Sequence, residues 1–200
     1  MKNPKGFVIF KYYPRGLSLT VVEPNILLHK NLKENALKNK INLEIIKSKN
    51  RCTIGARFLN AQRAPQSKEC GYRSTLTSSA EHLPFTENRF NFVVSTLVLC
   101  SVHDLKSVLV EIKRVLKKGG EYLCIEHVID DKNYFRRIIQ NIAAHSPWTF
   151  FGDYCHPNRD ILGEIRNTGF SKINVKKYLQ KDMGFMGWVI SPHVVVCAEK

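Results

Sequence analysis

The first group in the sequence that could do chemistry is a carboxylate at the end of a strand-like run. Residues 17–22 (LSLTVV) are apolar and β-branched, and Glu23 follows them directly. In a doubly wound sheet, a carboxylate at the carboxyl end of a strand can accept hydrogen bonds from both hydroxyls of a ribose. The alternative is a surface glutamate that ends a strand before Pro24, and the spacing alone leaves both interpretations open.

A second candidate segment precedes the longest apolar run of the chain, residues 91–100 (NFVVSTLVLC). It is the sequence AEHLPF, which begins with Ala80 and Glu81. A backbone amide and a short side chain at this place could face the edge of an adenine. A loop that only packs its Leu-Pro-Phe residues is the alternative interpretation.

A third candidate lies inside the apolar run itself. Thr96 and Leu97 follow Ser95 at the point where the strand would leave the sheet. Open α/β sheets bind their ligands outside the carboxyl ends of the strands, so these residues could line a pocket. Buried hydroxyls that bond to the backbone explain the same pattern equally well.

Three residues in the second half could act on a substrate. His127 ends an apolar run, and the ordinary pKa of histidine lies near neutrality, which suits a general base. Asp153 and Cys155 follow in an aromatic segment, although the thiol would be reactive only with a lowered pKa. A histidine packed at a strand end is the alternative for His127. Cys155 and His156 are adjacent, but no second pair stands at zinc-ligand spacing, so the sequence predicts no metal site.

The elements that must position these residues are clearest in the second half. Apolar residues recur at helical spacing over 105–116, which predicts an amphipathic helix that ends at Gly119-Gly120. Buried strands are predicted on either side of it, at 91–100 and 121–128. Such a unit needs a right-handed crossover and places helices on the faces of a parallel sheet. Further helices are predicted at 134–144 and 158–168, and further strands at 172–178 and 193–199.

The first half is less regular. A strand at 17–22, a helix that opens at Pro24-Asn25 and a strand at 41–46 form a weaker unit of the same kind. Residues 47–79 have no sustained periodicity and are rich in Arg, Ser, Thr and Gln. We therefore predict one domain over residues 1–200, with a disordered insertion at 47–79.

Charge and cysteine content limit the classes of partner. The chain has 200 residues and a formal net charge of +14, with 31 Lys+Arg against 17 Asp+Glu. No nucleic-acid-binding motif accompanies this charge, so it predicts a solvated surface. The longest apolar run is far too short to span a bilayer, and we identify no secretory signal. Six scattered cysteines then predict reduced thiols and a cytoplasmic location. Residues 134–151 combine cations with aromatics, which would suit peripheral contact with a membrane.

The sequence resembles a known family over most of its length, residues 46–79 excepted. Residues 94–128, with AEHLPF before them and GDYCHPNRD and IRNTGF after them, are similar to class I S-adenosylmethionine-dependent methyltransferases. The closer similarity is to the methyltransferase-like seven group of thiol methyltransferases. FKYYPRG at 10–16 and VVEPN at 21–25 extend it.

The resemblance implies a Rossmann-like α/β sheet with helices on both faces and a reversed last strand. It implies S-adenosylmethionine as cofactor and methyl transfer to a small or lipophilic acceptor, for instance a thiol. It also implies a cofactor pocket built from three segments. Glu23, Pro24 and Asn25 would bind the ribose, Ala80 and Glu81 would lie near the adenine, and Thr96 and Leu97 would line the methionine side.

One departure from the family affects the cofactor site. In the family a strand and a turn of the type E-x-G-x-G-x-G precede FKYYP, whereas residues 1–9 here (MKNPKGFVI) contain the single glycine Gly6. The sequence therefore predicts a truncated member whose central first strand and glycine-rich turn are missing or replaced, with GFVIFKY (6–12) as a substitute strand. Weak cofactor binding would follow, because that turn lets the backbone approach the cofactor closely. The alternative function is a catalytically inactive binding or scaffold module of the same fold.

Overall fold

The computed structural model describes residues 13, 15–22, 26–46, 56–60, 79–147, 149, 154–180 and 184–200. In these residues seven strands form one sheet in the order β2-β1-β3-β4-β5-β7-β6. The strands are β1 Ser18–Val22, β2 Asn42–Ile46, β3 Ala56–Asn60, β4 Phe90–Thr96, β5 Leu116–His127, β6 Lys172–Leu179 and β7 Pro192–Glu199. The described helices are α1 Ile26–Lys38, α2 Leu105–Val115, α3 Tyr134–Ala144, α4 Ile161–Asn167 and α5 Gly184–Val189.

The second half of the chain has the predicted strand-helix-strand arrangement. β4 and β5 are parallel neighbours joined through α2, and β7 lies antiparallel between β5 and β6, which confirms the reversed last strand. α2 ends at Val115, before the predicted Gly119-Gly120 stop, because Leu116 is extended and pairs with Phe90. Gly120 lies in β5, where a Cβ atom would meet the carbonyl oxygens of Asn91 and Lys117 at 2.9 Å.

Helices cover both faces of the sheet. Successive strand residues point to opposite faces, and they divide into two apolar clusters. The larger cluster contains Tyr122 and Cys124 of β5 and is covered by α2 and α4. The smaller contains Leu19 and Val21 of β1 and is covered by α1 through Leu32. This is the doubly wound α/β architecture that the sequence predicted.

The centre of the sheet differs from the prediction for residues 47–79. Residues 56–60 form β3, which pairs antiparallel with β1 on one side and with β4 on the other. The structure therefore corrects the prediction that the whole of 47–79 is a disordered insertion. The physical reason is that β1 and β4 each need a partner for the backbone groups along their facing edges, and β3 supplies both ladders.

β3 also identifies what replaces the central first strand. It occupies the slot predicted for residues 6–12, which lie outside the described residues. Since β3 runs antiparallel, its first residue, Ala56, lies beside Val22 at the carboxyl edge of β1 and β4.

None of the described helices is both long and apolar enough to cross a membrane.

Candidate active site at the carboxyl edge of the sheet

The loop between β4 and α2 is fixed at its start by a buried carboxylate. Glu126 of β5 is fully buried and accepts hydrogen bonds from the backbone N–H groups of Val98 (3.0 Å) and Leu99 (3.2 Å). Its carboxylate also accepts the Ser95 hydroxyl at 2.9 Å. Leu97 has a φ of 54°, in the left-handed region, and donates its N–H to the carbonyl of Ile125. The turn that begins at Thr96 is therefore held in one conformation.

The environment of Glu126 sets its charge. Burial raises the pKa of this carboxyl to about 7, although the hydrogen bonds from Val98 and Ser95 lower it in part. Ser95 is itself fixed, because its hydroxyl lies 2.7 Å from that of Tyr122. A carboxyl that is part-ionised near neutral pH thus controls the backbone at the end of β4.

A second carboxylate holds the end of the same loop. Glu81 accepts hydrogen bonds from the N–H groups of His103 (3.1 Å) and Asp104 (3.4 Å), just before α2 begins. Its neighbour Ala80 packs against the larger apolar cluster. The carboxylate predicted to lie near the adenine therefore contacts the backbone at the start of α2.

α2 also anchors the segment that follows Glu81. Glu111 accepts the N–H of Leu83 at 2.8 Å, and Arg114 donates to the carbonyls of Leu83 and Phe85. The Arg114 guanidinium lowers the pKa of Glu111, which keeps that carboxylate ionised. AEHLPF is thus tied to the helix that follows β4, as a wall of a site at this edge would require.

Thr96 and Leu97, predicted to line the methionine side, are half-buried at the end of β4. Glu23, Pro24 and Asn25 lie outside the described residues, as does Asp153. Their proposed roles therefore remain predictions.

The structure brings two of the predicted catalytic candidates together and adds a third residue. His127 Nε2 lies 3.0 Å from the Sγ atom of Cys155, and Cys100 completes a group whose ligand atoms all lie within 4.8 Å of one another. Sequence reasoning missed Cys100 in this role, because its place in an apolar run indicated a buried hydrophobe. The adjacency of Cys155 and His156 was the available signal, but the histidine that meets the thiol is His127.

The two buried members of this group have perturbed acidities. The hydrogen bond with Cys155, followed by burial, raises the pKa of the Cys100 thiol well above its usual range. For His127, burial acts to lower the pKa, but the hydrogen bond and charge of Cys100 and the charge of Glu126 outweigh it, so the pKa is raised. The role of His127 as a general base remains a prediction.

Comparison with known proteins shows that this chain is similar to methyltransferases. The family described as Methyltransferase domain matches residues 51–124, including part of the segment that the resemblance in the sequence had left out. The chain is 26% identical over 192 residues to thiol S-methyltransferase TMT1B of Rattus norvegicus, covering 96% of this chain and 66% of the relative. It is 26% identical over 193 residues to TMT1A of Homo sapiens, with the same coverages. The chain thus spans 66% of the length of these curated relatives.

A solved structure agrees in fold. A SAM-dependent methyltransferase from Thermotoga maritima superposes with a TM-score of 0.53 at 20% identity, over 94% of this chain and 84% of that one. At this identity the likeness concerns the fold alone. The family match, the curated relatives and this shared fold together make the chain similar to S-adenosylmethionine-dependent methyltransferases.

Proposed function

We propose that this chain binds S-adenosylmethionine and transfers its methyl group to a small or lipophilic acceptor, a thiol being the first to test. The single observation that carries the proposal is the loop from Thr96 to Asp104, held by Glu126 at its start and by Glu81 at its end. Such a loop at the carboxyl end of a strand is where open α/β sheets bind ligands. The thiol S-methyltransferases to which the chain is similar suggest the acceptor class.

The described residues fit this cofactor on the side of β4. In the proposal, Thr96 and Leu97 line the methionine portion, while Glu126 is a positioning residue that holds the backbone directly after them, at Val98 and Leu99. Ala80 and Glu81 stand near the adenine, and the segment from Glu23 to Asn25 binds the ribose. The cofactor supplies an electrophilic methyl group, so the protein has to position the acceptor and exclude water.

The centre of the site differs from the family pattern. β3 is antiparallel to β1 and β4, so at the carboxyl edge of the sheet the chain enters the central strand, at Ala56. In the family, the chain instead leaves the central strand at this edge, through a glycine-rich turn. We therefore expect weaker cofactor binding than such a turn would allow. His127, Cys155 and Asp153 are the proposed residues on the acceptor side.

Calorimetry with S-adenosylhomocysteine tests cofactor binding directly. We expect measurable heat with the natural chain and about tenfold weaker binding with Glu126→Gln, since a neutral amide is a poorer acceptor for the Val98 and Leu99 amides. Glu199→Gln, in an exposed ion pair with Lys172, is the matched control and should bind normally. No heat at millimolar ligand would end the enzyme proposal for this chain.

Transfer of a labelled methyl group to a simple thiol tests the reaction. We expect labelled thioether above the rate without protein. Cofactor binding without transfer to thiols or other small acceptors would favour the alternative function, a non-catalytic binding module of the same fold.

A second proposal concerns the surface of α3 and is a peripheral contact with anionic membranes. Tyr134, Phe135 and Ile142 of α3 are 78%, 65% and 60% exposed, and the chain carries a net charge of +14. Aromatic and aliphatic side chains beside cations suit the interface of a bilayer. We expect flotation with vesicles that contain phosphatidylserine, and loss of it in the Phe135→Ser, Ile142→Ser double variant. Equal flotation of the two proteins would contradict this proposal.

A further inference from the structure

We propose that Cys100, His127 and Cys155 form a Zn²⁺ site whose fourth position is open to an external ligand. The three residues come from the loop after β4, the end of β5 and the segment before α4. Their ligand atoms all lie within 4.8 Å of one another. In a tetrahedral site with Zn–S of about 2.3 Å and Zn–N of about 2.1 Å, ligand atoms stand roughly 3.6 Å apart. Changes of about 1 Å in the separations between the ligand atoms, including a widening of the 3.0 Å between His127 Nε2 and Cys155 Sγ, therefore suffice to arrange the group around the ion.

The donor set selects the class of metal. Two thiols and one imidazole are ligands that Zn²⁺ prefers, whereas hard cations such as Mg²⁺ and Ca²⁺ take oxygen ligands. Cys100 and His127 are 2% and 3% exposed, and Cys155 is partly buried. The site is thus shielded from water and reached from the side of Cys155.

The polar surroundings of His127 are not those of a buried structural histidine. Its Nδ1 atom is buried and has no hydrogen-bond partner among the described residues. Its ring contacts the thiol of Cys155 at 3.0 Å and also interacts with Cys100. A buried imidazole is ordinarily fixed by backbone or carboxylate partners, so a ring that faces two thiols indicates a ligand.

The backbone around the three residues is tied together without a metal. The N–H of His156 donates to the carbonyl of Cys100 at 2.9 Å, and the Arg159 guanidinium donates to the carbonyl of Leu99 at 2.8 Å. His127 pairs with His193 of β7 in the sheet. Because the segments that carry Cys100 and Cys155 are joined in this way, ordering the ligands costs little when the ion binds.

An open fourth position deepens the proposed function, and this step rests on it. Three protein ligands leave one position of a tetrahedral Zn²⁺ for water or substrate. An acceptor thiol that binds there loses its S–H proton to solvent and becomes a thiolate. Its sulfur forms a bond to the methyl carbon as the bond from that carbon to the sulfonium breaks. The electron pair of the broken bond stays on the sulfur of S-adenosylhomocysteine, and the thioether leaves as water replaces it.

Metal binding can be tested on the reduced full chain without cofactor or acceptor. After chelation, titration with Co²⁺ should give one ion per chain, with tetrahedral d–d bands and a sulfur-to-cobalt charge-transfer band, and Zn²⁺ should displace it. Groups that only support a metal ligand typically contribute about 10- to 100-fold to affinity, so removing a ligand should cost more. We expect at least about 100-fold weaker Zn²⁺ binding in Cys100→Ser and Cys155→Ser.

The matched control is Cys197→Ser, a partly exposed cysteine of β7 outside the group, which should bind Zn²⁺ normally. Cys155→His keeps three ligands and should retain Zn²⁺ with a weaker charge-transfer band, which separates loss of a ligand from loss of the fold. A natural chain that takes up no Co²⁺ or Zn²⁺, or that binds equally in Cys100→Ser and Cys197→Ser, would overturn the proposal. None of these results depends on methyl transfer, which is measured separately.

Discussion

The two halves of the sheet reach the same architecture by different means. In one half, β4 and β5 are parallel, α2 joins them, and the loop after β4 is held by Glu126 and Glu81. In the other half, β1 and β2 are parallel through α1, but the central slot is filled by the antiparallel β3. Every polar anchor that we describe around the candidate site belongs to the first of these halves or joins it to the loops. The conformation of the candidate site therefore depends on the β4–β5 half, while β3 completes the sheet.

A proline in β3 gives the largest expected effect and tests that comparison most directly. Phe58 of β3 pairs with Thr20 of β1 and with Val93 of β4. Phe58→Pro should lower the free energy of unfolding by about 3 kcal/mol or more, because proline has no N–H to donate and does not fit a central strand. Urea denaturation followed by circular dichroism measures this.

Val196→Pro in β7 is the matched control, since Val196 also lies in a strand with a partner on each side. We expect losses of similar size in the two variants. If Phe58→Pro were as stable as the natural chain while Val196→Pro unfolded, β3 would have no part in holding the two halves together.

The second prediction compares the apolar cores under the two helices. Leu109 of α2 is fully buried in the larger cluster, and Leu32 of α1 is 4% exposed in the smaller. We expect Leu109→Ala to cost about 3–5 kcal/mol and Leu32→Ala about 2–3 kcal/mol, because the smaller cluster can relax more around the cavity. Chemical denaturation of both variants measures the difference, and equal losses would show that the two cores are equally rigid.

Sequence patterns predicted the β4–β5 half well because its signals are local. A near-continuous apolar run became β4, and apolar residues at helical spacing became the buried face of α2. β3 could not be predicted in this way. Its sequence, ARFLN, has five residues, no alternation and two polar members, so the sheet edges on either side decide its conformation.

The candidate site was partly predictable for the same reason. Thr96 and Leu97 follow from the place where a strand ends, whereas the anchoring roles of Glu126 and Glu81 depend on which backbone groups lie opposite them. Cys100 was missed because its partners come from two distant segments, and no spacing along the chain reports that His127 and Cys155 meet it.

The third prediction uses acidity and concerns the loop after β5. The Asp130 carboxylate pairs with the Arg136 guanidinium and accepts the N–H groups of Lys132 (2.8 Å) and Asn133 (2.9 Å). Burial by itself raises the pKa of Asp130, but the bonds from Asn133, Lys132 and Arg136 together hold it below its usual value. The ionised form is thus the one that the folded state favours.

The lowered pKa of Asp130 in the folded state determines how this residue contributes to stability at different pH values. The contribution of Asp130 is present above the unfolded pKa of about 3.9 and is lost as the pH falls through the lower folded value. Asp130→Asn should cost about 1.5–3 kcal/mol at pH 7 and much less at pH 2, measured by urea denaturation at both values. Glu44→Gln in β2, whose pairing with Arg89 at 4.0 Å is exposed, is the control from the other half and should cost under about 1 kcal/mol. A loss for Asp130→Asn that is the same at both pH values would contradict the argument.

The smallest expected effects on stability come from replacing an asparagine by alanine in one helix of each half. Asn133 caps α3 by accepting the N–H of Arg136 at 3.0 Å, so Asn133→Ala should cost about 1 kcal/mol, and Asn133→Ser should restore most of it. Asn35 lies inside α1, where its amide donates to the carbonyl of Asn31. Alanine is the better helix former at an interior position, so Asn35→Ala should gain up to about 0.5 kcal/mol. Thermal and urea denaturation measure the change in the free energy of unfolding for both variants. A gain for Asn35→Ala and a loss for Asn133→Ala would show that helix propensity limits the stability of α1 and that the cap limits the stability of α3. A loss in both variants would mean that the hydrogen bond of the Asn35 side chain outweighs helix propensity.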